Sequence, residues 1–214
     1  MSTTSISISD ELLRLGLPAD AATDGITPAE ETGWYREEMR SRAAFRLRKA
    51  GLRGSYATAD SPQGHEAFGR ARLGRGTYLF GRPGRGKTYA ACCAVRLAVE
   101  AGMSAKLVTV KDLLDTVREG YGTGDSDAIR FARRYDLLAL DDLGMERPTP
   151  WAMETISGLI DSRVKDGLPT IVTSNYALGE LGRLCGGIDG ARLVSRLGGA
   201  CEPVEMTGGD RRLA

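Results

Sequence analysis

The stretch TYLFGRPGRGKT, Thr77 to Thr88, decides the fold. A short apolar run ends in a loop with glycine at 81, 84 and 86, and the following YAACCAVRLAVEAG reads as a helix. The spacing GxxxxGK[ST] has a physical meaning. Glycines let the backbone curl with its N–H groups turned inward around a phosphate, at the positive end of the next helix. Lys87 then reaches the outer phosphates of a nucleotide, and Thr88 offers a hydroxyl to magnesium. Gly81, Arg82, Pro83, Gly84, Arg85, Gly86, Lys87, Thr88 and the adjoining Tyr89 are therefore candidate ATP contacts.

Such a loop needs carboxylates, and LLALDDLG, Leu137 to Gly144, supplies them. Four apolar residues running into two aspartates describe a buried strand that delivers a carboxylate at its end. Asp141 is the candidate Mg2+ ligand with Thr88, acting through a bound water because magnesium dehydrates reluctantly. Asp142 points toward the γ-phosphate and is the candidate to orient or deprotonate the attacking water. A third strand, TIVTSN, ends in Ser174 and Asn175, where a polar side chain can hold that water from the opposite side. Further on, ARLVSRL places Arg192 and Arg196 four apart on one side of a helix. They are either surface charges or arginines that reach a neighbouring subunit's nucleotide.

From Gly76 onward, short apolar runs alternate with helix-length segments, the pattern of a parallel sheet with crossover helices. Strands are expected at Thr77 to Phe80, Ala105 to Val110, Leu137 to Asp141, Thr170 to Ser174 and Glu202 to Met206. Helices are expected at Lys87 to Ala101, Lys111 to Tyr121, Ser126 to Arg134 and Pro150 to Lys165, with two short ones between Ala177 and Leu197. The fold expected is α/β, a three-layer α/β/α P-loop NTPase with a five-stranded parallel sheet.

Ahead of this core the charge is uneven. Residues 1–35 hold six acids against Arg14, whereas residues 36–54 hold seven bases against Glu37 and Glu38. TPAEE starts a helix running to about Ala50, whose Met39, Ala43, Ala44, Leu47 and Ala50 share a side. Its arginines form either a solvated face or a surface for nucleic acid or a protein partner. The division expected is an acidic flexible tail over 1–30, a helical linker or partner-docking segment over 31–70, and the ATPase domain over 71–214.

The 42% hydrophobic and 27% charged composition fits an ordinary globular chain. No run approaches the roughly 18 to 20 apolar residues of a membrane span, and MSTTSISISD lacks a signal-peptide pattern, so no membrane association and a cytoplasmic location are expected. Cys92, Cys93, Cys185 and Cys201 form no CxxC pair and His65 is the sole histidine, so the spacing specifies no zinc module.

Taken in order, GRPGRGKT, LLALDDLG, the TSN ending, RLVSRL and the closing GGDRR resemble the AAA+ ATPases of the bacterial helicase-loader and transposition-helper group, the DnaC and IstB type. The resemblance spans about Arg36 to Arg212. It implies that Asn175 is the sensor-1 residue and Arg196 the arginine finger, with Arg192 beside it. Arg212 becomes a sensor-2 contact to ATP. It further implies single-stranded DNA contacts from the helix before the Walker B strand, where Lys111, Arg118, Arg130, Arg133 and Arg134 lie with the aromatics Tyr121 and Phe131. The group lacks a C-terminal lid domain, so the resemblance implies self-association into an ATP-dependent oligomer that covers the nucleotide. Most AAA+ proteins carry Asp-Glu where this chain has Asp141-Asp142, a pair common in the group resembled.

Two functions follow from the resemblance: loading a replicative helicase onto DNA, or helping a transposase as a DNA-coating ATPase. Two further classes use the same loop, a nucleotide-gated binding module without hydrolysis and a small-molecule kinase. The kinase reading leaves the Asp-Asp pair, TSN and RLVSRL without a role.

Overall fold

The computed structural model describes residues 28–120, 127–144 and 149–210. The chain divides into two compact units, one through Ala43 and one from Ala44 onward. Helix α1, Pro28–Lys49, begins in the first. Proline at its start and Arg46, Arg48 and Lys49 in its last turn suit the two ends of its dipole. Its apolar side is only partly used: Met39 and Ala44 are exposed, Leu47 packs against the core, and Ala50 is buried.

The second unit is built on five parallel strands, β1 (Gly76–Phe80), β2 (Ala105–Thr109), β3 (Leu137–Leu143), β4 (Thr170–Ser174) and β5 (Cys201–Glu205), in the order β2-β3-β4-β1-β5. All five expected strands are present, within two residues at each end. The three central strands are almost wholly buried, which is why they read as unbroken apolar runs. The edges are half-exposed, and Pro203 sits on edge strand β5, where a missing N–H costs no central ladder bond.

Helices cover both faces. Helices α2 (Pro62–Arg72) and α3 (Lys87–Glu100) lie on one side. On the other are α4 (Val110–Gly120), α5 (Asp127–Arg134), α6 (Pro150–Lys165), α7 (Leu178–Cys185) and α8 (Gly187–Ala200). Strand alternation separates the two cores. Leu79, Leu137, Ala139 and Ile171 meet the small residues of α3, including Ala90, Ala91, Ala94 and Ala98. Tyr78, Leu138, Leu140 and Val172 meet Leu114, Ile156, Leu159, Ile160, Leu193 and Leu197.

Residues ahead of 71 also pack on this unit. Leu52, Ala59, Ala67 and Ala71 belong to the core over α3, and Leu107 N–H donates to the Ala50 carbonyl at 2.8 Å, tying the approaching chain to edge strand β2. A 3₁₀ turn (Gly54–Thr58) and α2 lie in the stretch expected as a helical linker or partner-docking segment. The signal for α2 is Ser61-Pro62: Ser61 Oγ accepts from Gly64 N–H at 3.0 Å, and proline takes the first helical position.

One buried charge organises the opposite face. Arg163 of α6 is fully buried and donates to Thr170 Oγ1 and to the carbonyls of Ala132, Tyr135 and Pro169 at 2.7–2.9 Å. It thereby caps the C-terminal end of α5 against α6 and β4. Burial lowers its pKa to about 10. Among the described residues no helix is long and apolar enough to cross a membrane.

Candidate functional site

The loop after β1 leads directly into α3, as the spacing requires. Gly84 and Gly86 take left-handed φ values of 80° and 85°. Gly84 is also needed for space, since a Cβ there would lie 2.1 Å from the Asp210 carboxylate. Lys87 is buried, its ammonium donating to the carbonyls of Gly81 at 2.7 Å and Arg82 at 3.0 Å. The cation is thus held against the loop at the α3 N-terminus.

At the end of β3, Asp141 is buried and accepts Thr88 Oγ1 at 3.0 and 3.1 Å. A hydroxyl beside a buried carboxylate is a hard-oxygen donor set of the kind magnesium takes, and it fits Thr88 as a ligand with Asp141 acting through a bound water. Burial holds the Asp141 carboxyl above the usual carboxylate range, against the Thr173 hydrogen bond that lowers it; Asp142 raises it further.

Asp142 adopts φ 59°, the one non-glycine among the described residues with positive φ. The β3–β4 register breaks between Leu140 and Leu143, which turns the Asp142 side chain out of the sheet and into the cleft, exposed. Such a backbone costs about 1–2 kcal/mol and persists only where neighbours enforce it. The enforcing neighbour is Thr173, a residue the sequence reading did not single out. Its hydroxyl accepts the Asp142 N–H at 2.9 Å and donates to Asp141 Oδ1 at 2.6 Å. Both aspartates are therefore set by one side chain of the adjacent strand. The available signal was a hydroxyl near the end of the otherwise apolar TIVTSN.

Asn175, half-buried past the end of β4, lines the same cleft, about 950 Å³ in volume. Beyond Pro83, Gly84 and Tyr89 the cleft continues to Ser55, Tyr56, Cys92 and Leu107. This partly aromatic wall can take a nucleobase.

The remaining candidates lie elsewhere. Arg196 donates from Nε to Asp161 of α6, and Arg192 stands 3.6 Å from Asp189. Both line a separate cavity of about 380 Å³ with Glu154 and Ser157, so neither shares its own chain's nucleotide cleft. Arg212 and Tyr121 fall outside the described residues. Lys111 pairs with Asp115 at 2.6 Å, and Arg118 lies 4.8 Å over the Trp151 ring. Arg130 pairs with Asp127 and packs on exposed Phe131, while Arg133 and Arg134 are exposed at the end of α5. These five are brought to α4 and α5, apart from the cleft.

A family model described as IstB-like ATP binding protein matches residues 74–214, the whole sheet and every element of the cleft after α2. The chain belongs to that family. As a member it is an ATP-binding AAA+ protein. The replicative helicase loader DnaI of Bacillus subtilis is 24% identical over 69% of this chain and 50% of its own length. The replicative helicase loader DnaC of Escherichia coli strain K12 is 25% identical over 51% of this chain and 46% of its own. The chain thus spans about half the length of the curated relatives it matches. A crystal structure of the DnaC helicase loader superposes with a TM-score of 0.60 at 24% identity, covering 72% of this chain and 100% of that one, a likeness of fold.

Proposed function

We propose that this protein binds ATP with Mg2+ in the β1–α3 cleft, hydrolyses it when assembled on DNA, and loads a replicative helicase. The observation that carries the ATPase reading is the Thr88–Asp141–Thr173–Asp142 chain of hydrogen bonds, which fixes a metal-binding pair and an exposed carboxylate beside Lys87. In this reading Thr88 and Asp141 hold Mg2+, Asp142 activates the attacking water and Asn175 orients it. Arg196, with Arg192 beside it, serves the next subunit's nucleotide; their separation from their own cleft supports a role in trans. Arg212 would contact the γ-phosphate. Lys111, Arg118, Arg130, Arg133 and Arg134 meet DNA, single-stranded by preference, and residues 31–70 carry the helicase contact.

The loader reading draws on relatives described as replicative helicase loaders. A second reading, a transposition helper that coats duplex DNA and recruits a transposase, draws on the IstB-like family match. Phosphate release by the purified chain, alone and with single-stranded or duplex DNA at several salt concentrations, separates them when mass is followed in parallel. Stimulation by single strands that tracks oligomer formation supports the loader, and stimulation by duplex supports the helper. Nucleotide binding without phosphate release under every condition would replace both with a nucleotide-gated module.

A further inference from the structure

We propose that Asp60, His65 and Cys93 form a divalent-metal site with the ligand chemistry of zinc, separate from the magnesium pair in the nucleotide cleft. Spacing along the chain gives no hint of it, since the three residues come from the loop before α2, the first turn of α2 and the middle of α3. The fold brings a carboxylate oxygen, an imidazole nitrogen and a thiol sulfur within 4.8 Å of one another, and no other such trio converges among the described residues.

The three donors are gathered within 4.8 Å and must adjust to take up a metal's spacing. Tetrahedral zinc with bonds of about 2.0–2.3 Å sets its donors about 3.3–3.6 Å apart. His65 Nε2 and Asp60 Oδ1 are 2.7 Å apart, a hydrogen bond that must open by under about 1 Å for both to ligate. Both side chains are exposed, whereas Cys93 is buried beneath them. A surface Asp–His pair alone would be an ordinary ion pair near a helix N-terminus. The thiol under it adds a third donor of a type that zinc favours.

The backbone holds the sulfur in place. At Gly64 a Cβ would stand 2.5 Å from Cys93 Cβ and 2.6 Å from its sulfur, so the first turn of α2 rides directly on the thiol. Cys93 Sγ donates a long hydrogen bond, 3.7 Å, to the Ser61 carbonyl, and the Arg96 guanidinium lies against it. Charge also balances. Asp60 and a Cys93 thiolate neutralise a divalent cation, and Arg96, 3.5 Å from Asp60, is engaged by both oxygens of Glu100 at 2.8 Å. Three protein ligands leave a fourth position for water. The bound ion would pin α2 and the Ala59–Ser61 approach to α3, the helix that begins at Lys87.

Titration of the full chain with Co2+ tests the site. Expected are one cobalt per chain, tetrahedral visible absorption and a near-ultraviolet thiolate-to-cobalt charge-transfer band, all displaced by one equivalent of Zn2+. Oxygen-ligated cobalt at Thr88 and Asp141 gives no such band. Cys93→Ala should lose the band and Cys92→Ala keep it. His65→Gln, an exposed change that spares the fold, should weaken cobalt binding by at least about tenfold. The proposal is overturned by absence of the band in the unaltered chain, by its survival in Cys93→Ala, or by unchanged affinity in His65→Gln.

Discussion

In the nucleotide cleft, Lys87 and Asp141 are buried and held by partners from the loop, from α3 and from β4. On α4 and α5, Lys111 and Arg130 are exposed and pair with acids one turn away on their own helices. A buried charge that loses its partner keeps its desolvation cost, so changes in the cleft should act nearly all-or-none. Exposed pairs are worth about 0–1 kcal/mol and are screened by salt, so changes on α4 and α5 should be graded.

The sharpest break is Lys87→Ala. If the proposed function is right and the buried ammonium turns from the Gly81 and Arg82 carbonyls to the phosphates, its loss, at about 1.5–3 kcal/mol for each charge-assisted bond, should weaken ATP binding by about 100-fold or more. Calorimetric titration measures it; a loss below about tenfold would place the cation in a structural role. Next is Asp142→Asn, which keeps the backbone N–H that Thr173 accepts. ATP affinity should stay within about threefold while steady-state phosphate release falls by about 10²–10⁴-fold. Normal turnover would remove Asp142 as the base.

Arg163 joins the two regions, because a buried guanidinium caps the helix that carries Arg130, Arg133 and Arg134. Arg163→Ala orphans several buried carbonyls and should cost about 3 kcal/mol, roughly 6–12 °C in thermal unfolding of a chain this size. Arg133→Gln with Arg134→Gln should leave the melting temperature unchanged. If these two meet phosphates, DNA affinity at low salt should fall about tenfold and the salt slope by about 2. A drop in affinity that is independent of salt would contradict phosphate contact.

Much of the fold was legible because its signals are local. LLAL, TIV and the strand before the loop are buried on both faces, so apolarity alone marks them, and the loop's glycines mark where the backbone must curl. What escaped depends on contacts across the sheet. Thr173 gains its role from aspartates 31 and 32 residues away in sequence, on a strand whose neighbour no local pattern specifies. Helix α2 buries Gly64, Ala67 and Ala71, too small to raise a hydrophobic signal, against an equally small-residued α3. Arg163 reads as a surface charge because five waiting acceptors cannot be seen from its own helix.

The smallest expected effect tests the cleft's charge directly. Asp141 has its carboxyl raised above the ordinary range chiefly by burial. It therefore binds its proton more tightly folded than unfolded, so stability from this group falls as pH rises through that interval, and the penalty is complete above the folded value. Asp141→Asn removes the charge and keeps a carbonyl to accept from Thr88 or Thr173. At neutral pH the nucleotide-free variant should melt at the same temperature or up to a few degrees higher, and the gap should close as pH falls below the ordinary aspartate value. If Asp141 holds Mg2+ as proposed, the added stability from Mg2+ with ATP should shrink in the variant, because the cation would offset the buried charge. A variant that melts lower without nucleotide would mean that the two threonine hydrogen bonds outweigh burial, and that Asp141 ties β3 to α3 and β4 whether or not it holds a metal.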